Sequence, residues 1–313
     1  MARKPKSKAQ VQASPSTASI PPASTHVTPA PTSAPSFPFP YTSYASLVGI
    51  HTSLLTFTLL FLPRTSLFLP SNPLIEGLRF SPNLSFAAGF EGGQTEVALG
   101  ALGKTGWISL GVVVLQVWWA GKVRGWARLS GGGDRNRSDD SDLLNAYLST
   151  FVTCLIIYVS LVLFGAPLTS HITHTTLLSL TLSFLTTFPP AYTLGFPPFS
   201  FFNATPKNGV QSGREVLNRF TWVRLFVEFM PKTPLERTLT YPFIGTFIGC
   251  WLGAIPMGLD WERDWLVWPI PPLYTSIMGY IIGSLSAVVI NSLEYLAIVG
   301  RVQEQSDEGK VGS

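Results

Sequence analysis

The chain has 313 residues, of which 46% are hydrophobic and 12% are charged. Soluble globular domains carry about 25% charged residues, so this composition excludes an ordinary soluble domain. The formal net charge is +4, and the basic residues are spread unevenly along the chain. The composition therefore predicts a protein whose surroundings are largely lipid.

The first 43 residues differ from the rest of the chain. They are rich in Pro, Ser, Thr and Ala, and four basic residues stand at the start: Arg3, Lys4, Lys6 and Lys8. A segment with so few large apolar side chains cannot offset the entropy of ordering, so a disordered tail is predicted over 1–43. A secretory signal requires an apolar stretch directly after the basic residues. We therefore expect the first apolar run to remain as a membrane helix.

Six apolar stretches are long enough to cross about 30 Å of hydrocarbon as helices. They predict an all-α, polytopic membrane domain over 44–300, followed by a short tail at 301–313. The fourth stretch contains Pro189 and Pro190, which membrane helices tolerate. The predicted spans are 44–62, 97–120, 143–164, 176–194, 241–259 and 273–299.

The distribution of Lys and Arg predicts the orientation of these spans. Seventeen of the 21 basic residues fall in the tails and alternate loops on one side, and three fall in the loops on the other. Basic residues favour the cytoplasmic side, so both termini are predicted to be cytoplasmic. The glycosylation sequon at Asn83 then lies on the lumenal side, where it is either modified or unused.

Glycines recur at every fourth position of the last two spans. The fifth span carries Gly245, Gly249 and Gly253, and the sixth carries Gly279 and Gly283. Residues four apart share one helix face, and glycine lets another backbone approach closely. Two interpretations follow: the two spans pack on each other, or one glycine face receives a helix of another protein.

Isolated polar residues lie within or near the spans. Lys104 either extends its stem to the outer interface or contacts a polar cavity or a lipid headgroup. His51 is interpreted as a hydrogen-bond donor between helices. Asn291 and Glu294 are predicted to reach the cytoplasmic interface, with a polar contact between helices as the alternative.

Nothing in the sequence assembles a catalytic site. His171 and His174 share their loop with no Cys or carboxylate, so a metal site is not predicted there. The longest outer loop, of about 30 residues, is too short for an independent catalytic domain. No catalytic residue, cofactor, metal or nucleic-acid partner is predicted. The segment 214–227 predicts an amphipathic helix that lies on the cytoplasmic leaflet or docks a partner subunit.

The loop between the last two spans concentrates tryptophan around charge. Indole rings favour the membrane–water boundary, and the following prolines restrict the backbone, so a rigid interfacial hairpin is predicted. Three acids that lie in one short segment cannot by themselves surround a cation. The hairpin residues that we single out are Asp260, Trp261, Arg263, Trp265, Trp268 and Pro269.

This loop resembles the signature of the PIG-F family of glycosylphosphatidylinositol (GPI) anchor biosynthesis. The stretch GCWLGAIPMGLDWERDWLVWPIPP, residues 249–272, matches the family string LDW-x-R-x-W-x-x-WP. Gly258 and Leu266 depart from the residues that the family often carries, Pro and Gln. The resemblance covers about residues 40–300 and is strongest over 203–300.

The resemblance implies a non-catalytic subunit of the endoplasmic reticulum membrane. Its partners would be the large ethanolamine-phosphate transferases that move phosphoethanolamine from phosphatidylethanolamine to mannose of the GPI precursor. The chain itself would be no enzyme, and the hairpin would be a structural brace or a docking element. The alternative function is a lipid-handling protein that presents phosphatidylethanolamine to the transferase, with Lys104 as the candidate lipid contact.

Overall fold

A computed structural model describes residues 39–63, 92–129, 139–167, 172–195, 209–259 and 266–311. These residues form helices and connecting turns, and no strand occurs among them. The predicted all-α fold class is thereby confirmed. The helices are α1 (Tyr41–Leu60), α2 (Gly92–Leu129), α3 (Asp139–Leu163), α4 (Ile172–Thr186), α5 (Phe188–Leu194), α6 (Gly209–Phe226), α7 (Pro234–Ala254) and α8 (Ile270–Val311), with a short 3-10 helix at Ile255–Leu259 after α7.

Five helical stretches within the described residues are long and apolar enough to cross a membrane. The chain is accordingly an all-α polytopic membrane protein. The last helix, α8, continues through the residues predicted as the C-terminal tail and ends at Val311. The five stretches are Tyr41–Leu60, Gly103–Leu129, Asp140–Leu163, Pro234–Leu259 and Ile270–Gln305.

The predicted fourth span is divided between α4 and α5. Pro189 and Pro190 occupy the first turn of α5 and have no N–H to donate, so the continuous ladder stops near Thr187. The Thr187 amide still donates to the Ser183 carbonyl at 2.8 Å, so α5 follows α4 without an intervening loop. Neither helix alone is long enough to cross the hydrocarbon, since α4 has 15 residues and α5 has 7. The six-span count therefore stays a prediction.

Contacts between helices define their directions. His51 of α1 stacks on Trp119 of α2, with ring centroids 4.6 Å apart and planes at 4°. Farther along α1, Thr58 faces Gly111, which precedes Trp119, so α1 and α2 are antiparallel. The rings of Tyr41 and Tyr295 are in contact, with centroids 4.6 Å apart and planes tilted by 32°, so the start of α1 and the later part of α8 lie at the same end of the bundle.

The helix α4 runs through the middle of the bundle. Its Thr181 hydroxyl shares a 2.9 Å hydrogen bond with Ser109 of α2, and Ser179 lies 3.4 Å from the Cys154 sulfur of α3. The central apolar core surrounds this helix, so α4 is enclosed on several sides. The core residues come from α1, α2, α3, α4 and α8 and include Leu55, Ile108, Ile157, Leu178, Leu182 and Ile277.

The charged side chains are segregated to one end of the bundle. Among the described residues, every Lys, Arg, Asp and Glu except Glu96 and Lys104, both in the first half of α2, lies at or beyond the end that holds Arg124, Asp142, Arg237 and Glu294. We call this the charged end. The helix directions place Lys104 near the opposite end, where α1 finishes and α8 begins.

Candidate partner-binding surface

The helices α7 and α8 approach each other through bare backbone. A Cβ atom added to Gly245 would overlap the carbonyl group of Gly279, and one added to Gly249 would overlap the carbonyl group of Thr275. Side chains larger than hydrogen therefore cannot occupy these positions without moving one helix. The structure brings the two predicted glycine faces together, as one of the two interpretations of the sequence requires.

The remaining two glycines extend this contact along the pair. A Cβ atom on Gly253 would meet Pro271 and Pro272 of α8, and one on Gly283 would meet Tyr241 and Pro242 of α7. The contact consequently runs from the charged end to the start of α8. Close backbones gain many dispersion contacts, which are a main source of helix association in lipid.

A polar clamp fixes α7 against α8 at the charged end. The Arg237 guanidinium pairs with the Glu294 carboxylate and donates to the Asn291 side-chain oxygen at 3.2 Å. The Asn291 amide in turn donates to the Pro234 carbonyl oxygen at 3.1 Å. Asn291 and Glu294 thus make a polar contact between helices, which is the alternative interpretation and not the preferred one. Sequence reasoning missed Arg237, because the predicted span began only at residue 241 and left Arg237 in the preceding loop.

The start of α7 is closed by its own cap. The Thr233 hydroxyl accepts a hydrogen bond from the Glu236 amide, and the Glu236 carboxylate accepts one from the Thr233 amide, both at 3.2 Å. The same carboxylate pairs with Arg224 of α6 at 2.5 Å. A capping box of this kind satisfies two otherwise unpaired backbone donors. It also ties α6 to the beginning of α7.

The helix α6 is docked by one face and presents the other. Asn218 and Trp222 both donate to the Gly195 carbonyl oxygen, at 2.8 and 3.0 Å, and Leu225 is fully buried. Leu217 and Phe220 are each 68% exposed. The amphipathic helix predicted in this segment is therefore present, and its exposed apolar face suits either a membrane surface or a partner.

A second cluster of charge that sequence reasoning missed joins α2, α3 and α5. Arg124 pairs with Asp142 at 2.6 Å and donates to the Tyr192 carbonyl oxygen at 2.9 Å. Its guanidinium carbon also lies 4.4 Å from the centre of the Tyr192 ring. A planar guanidinium suits these simultaneous contacts, and the fixed cluster is structural in character.

An apolar groove follows the outer side of the α7–α8 contact. Its volume is about 420 Å³, and Gly245, Gly249 and Gly279 are among the residues that line it. The residues Ile248 and Ile282 form its walls and are 53% and 60% exposed. The described helices of the chain leave this face uncovered. A groove with a backbone floor and apolar walls can accept a neighbouring membrane helix.

The predicted hairpin is only partly described. The Trp268 indole N–H donates to the Thr175 hydroxyl of α4 at 3.0 Å, and Pro269 is buried. This bond anchors the end of the loop to the middle of the bundle. Asp260, Trp261, Arg263 and Trp265 lie outside the described residues, as do the Asn83 sequon and residues 1–38 of the predicted tail. The boundary of that tail at residue 43 is wrong, because α1 already begins at Tyr41.

The described residues offer little for metal or acid–base chemistry. No group of three or more His, Cys, Asp or Glu side chains in the described ranges comes together to hold a metal ion. His51, expected to donate between helices, instead stacks on Trp119, and neither ring nitrogen has a hydrogen-bond partner among the described residues. That expectation is wrong, because the aromatic neighbours of His51 offer ring faces instead of acceptors.

Comparison with known proteins gives one family. The sequence model described as "GPI biosynthesis protein family Pig-F" matches residues 107–288, which run from α2 into α8. The resemblance stated from the hairpin is confirmed. No solved structure matches the chain.

Curated relatives agree with this match. The chain is 33% identical over 180 residues to glycosylphosphatidylinositol anchor biosynthesis protein 11 of Pyricularia oryzae, which covers 55% of this chain and 57% of that protein. It is 33% and 34% identical over 132 residues to the "GPI ethanolamine phosphate transferase, stabilizing subunit" of Mus musculus and Homo sapiens, covering 42% of this chain and 51% of each relative. The chain thus spans about half the length of the curated relatives that it matches.

Proposed function

Because the chain belongs to the GPI biosynthesis protein family Pig-F, we propose that it is a non-catalytic stabilising subunit of a GPI ethanolamine-phosphate transferase. The printed names of the mouse and human relatives describe that role for those proteins. The transferase would add phosphoethanolamine to mannose of the GPI-anchor precursor. We place this chain in the endoplasmic reticulum membrane with both termini in the cytoplasm.

The observation that carries the proposal is the apolar groove on α7 and α8. We assign it one occupant, a membrane-spanning helix of the catalytic subunit. The described groove residues are uncharged, and its floor is backbone, so a helix can lie against it without burying an unpaired polar group. Trp251, which is 68% exposed on α7, extends the same apolar face.

The charged end supports an orientation with both termini in the cytoplasm. Basic side chains favour the cytoplasmic side, and Arg124, Arg224 and Arg237 all lie at the charged end. The groove and the Trp-rich hairpin then extend toward the lumenal side. In this arrangement, we infer that Asp260, Trp261, Arg263 and Trp265 act with Trp268 and Pro269 as a brace or docking element there.

Filling the groove tests the occupant. Ile282→Trp places a large side chain in the groove and leaves the glycine contact between α7 and α8 intact. We expect the variant to co-purify with at least fivefold less of the large transferase subunit, because a partner helix can no longer reach the groove floor. The measurement is affinity purification of the tagged chain from membranes, with quantification of the transferase.

A matched substitution controls for the added bulk. Val159 of α3 is 55% exposed, close to the exposure of Ile282, but lies on another face of the bundle. Val159→Trp should co-purify the transferase as the unaltered chain does, and both variants should keep the same thermal unfolding midpoint. Equal recovery by the Ile282 and Val159 variants would rule out the groove as the docking surface.

Removal of the whole chain tests the function itself. We expect the large transferase subunit to be depleted, and GPI precursors that lack the terminal phosphoethanolamine to accumulate. Normal transferase levels together with complete precursors would contradict the subunit role. A second candidate function, the presentation of phosphatidylethanolamine, is favoured by a separate observation, the pocket beside Lys104.

A further inference from the structure

We propose that the pocket beside Lys104 binds the phosphate group of a membrane phospholipid, with an acyl chain lying along Leu59 and Leu60. The pocket has a volume of about 240 Å³. Its lining combines one cation, one phenol and apolar side chains. The lining residues are Leu59, Leu60, Pro63, Lys104 and Tyr274.

The position of Lys104 is the first step of the argument. Its side chain is exposed on α2, and Lys104 lies away from the charged end, in the first half of that helix. An ammonium group costs about 2.5–3.5 kcal/mol on insertion scales at the centre of a membrane helix, so a lysine near the edge of the hydrocarbon gains from an anionic partner. A phosphate diester offers the opposite charge and several acceptor oxygens, and Lys is a common phosphate ligand.

The composition of the pocket is the second step. Tyr274 belongs to the beginning of α8, Leu60 ends α1 and Pro63 follows it, so the pocket lies where helices leave the hydrocarbon. Phospholipid phosphates occupy this boundary, and tyrosine is enriched there. Leu60 is 48% exposed and provides apolar surface for the chain that follows the headgroup.

The combination of a phosphate-binding cation and an acyl-chain surface identifies the class of ligand. A free phosphate ion would use the ammonium but not the leucines, whereas a neutral diglyceride would use the leucines but not the ammonium. A phospholipid satisfies both kinds of surface. This proposal does not rest on the subunit role, because it concerns the chain by itself.

The test uses the purified full chain in detergent after removal of bound lipid. The probe is dioleoylphosphatidylethanolamine, and the measurement is the shift of the thermal unfolding midpoint with lipid concentration, which reports binding to the folded state. We expect a saturable rise. Dioleoylglycerol, glycerophosphoethanolamine and inorganic phosphate, each of which lacks one part of the ligand, should give at most a small rise.

Variants connect the binding to the pocket. Lys104→Met keeps the length of the side chain and removes its charge, so the apparent affinity for the lipid should fall about tenfold, the loss of one charge-assisted hydrogen bond. Lys104→Arg should keep most of the affinity. Lys122→Met is the matched control, because Lys122 is an exposed lysine of the same helix near the charged end. It should bind like the unaltered chain.

Several outcomes would overturn the proposal. Equal affinity of the Lys104→Met and Lys122→Met variants would exclude the pocket, and so would a fall of the same size in both. A rise with inorganic phosphate alone would make the ligand a free anion instead of a lipid. No response to the lipid by the unaltered chain would contradict the proposal directly. None of these outcomes bears on transferase binding, which the groove variants measure separately.

Discussion

At the scale of single residues, His51 shows that the bundle can bury a polar ring by stacking it on an aromatic neighbour. The ring is fully buried and lies flat on Trp119, with Tyr280 at its edge, 5.7 Å away between centroids. Such ring pairs contribute about 0.5–1.5 kcal/mol beyond their buried area. The contribution of His51 to folding therefore comes from its ring and not from its nitrogens.

We predict that His51→Phe leaves the thermal unfolding midpoint unchanged or raises it. Phenylalanine keeps a ring against Trp119 and removes two buried nitrogens that have no partner in the described part of the chain. His51→Ala should lower the stability by about 2–4 kcal/mol, because it leaves a cavity. The measurement is thermal unfolding of the purified variants in detergent. A Phe variant as unstable as the Ala variant would mean that a nitrogen of His51 holds a partner such as an ordered water.

Other polar residues could not be interpreted fully from the sequence. Asn291 and Glu294 carry no local signal that tells a membrane interface from a contact between helices, since both environments accept polar groups near a helix end. The decisive fact is the position of Arg237, which is 54 residues earlier in the chain than Asn291 and enters the contact only through the packing of α7 on α8. Long-range partners of this kind become visible only when the helices are placed.

At the scale of elements, the pair α7–α8 depends on the absence of side chains at its contact. Gly245→Ala and Gly279→Ala should each lower the free energy of unfolding by about 1–3 kcal/mol. Each new methyl group meets a backbone carbonyl group, which can move only together with its helix. Thermal unfolding of the full chain in detergent would measure the loss.

Another helical glycine provides the control. A Cβ atom on Gly49 of α1 would meet nothing within 4 Å. Gly49→Ala should therefore leave the stability unchanged, or raise it by up to about 1 kcal/mol through helix propensity. If all three substitutions behave alike, the α7–α8 contact is looser than the backbone distances indicate.

The glycine spacing was enough to predict that two helices approach closely, because a four-residue repeat defines one face without knowledge of the neighbours. It was not enough to choose between an internal and an external partner. The structure brings Gly245 and Gly279 together and also leaves a groove beside them. One set of glycines therefore serves the internal contact and still lines an open surface.

At the scale of the whole molecule, the number of membrane passes decides the side of each terminus. Five helices among the described residues are long and apolar enough to cross a membrane, and an odd number would place the termini on opposite sides. The contact between Tyr41 and Tyr295 favours an even number, because it puts both ends of the helical body together. Six passes stay the prediction, with α4 and α5 together as the candidate for the sixth.

We predict that protein tags at both termini are cleaved by a protease added to sealed endoplasmic reticulum vesicles. Cytoplasmic tags are accessible in such vesicles, and lumenal tags are protected until detergent is added. A known lumenal protein should stay intact in the same sample as a control for sealing. Protection of one terminal tag alone would contradict the six-pass arrangement.

The overall architecture was largely accessible from the sequence, and the boundaries were not. Apolar length located the cores of α1, α2, α3, α7 and α8, because crossing a bilayer imposes a minimum run of apolar residues. It could not place the end of α8 at Val311, since polar residues beyond the hydrocarbon continue the same helix in water. The helix break near Thr187 could not be predicted either, because two prolines can kink a helix or begin a new one.

The enclosure of α4 has a consequence for how the protein is made. Ten of its fifteen residues are buried, many of them Ser and Thr, whereas α3 before it is the most apolar of the spanning helices, with a mean hydropathy of 2.1. The neighbours of α4 include α2 and α3, which are synthesised before it, and the Trp268 segment, which emerges about 90 residues later. During translation, this hydroxyl-rich segment is synthesised before Trp268, which provides its hydrogen bond to Thr175. A nascent chain that stops before α8 exposes the segment to lipid and to the cell's quality control.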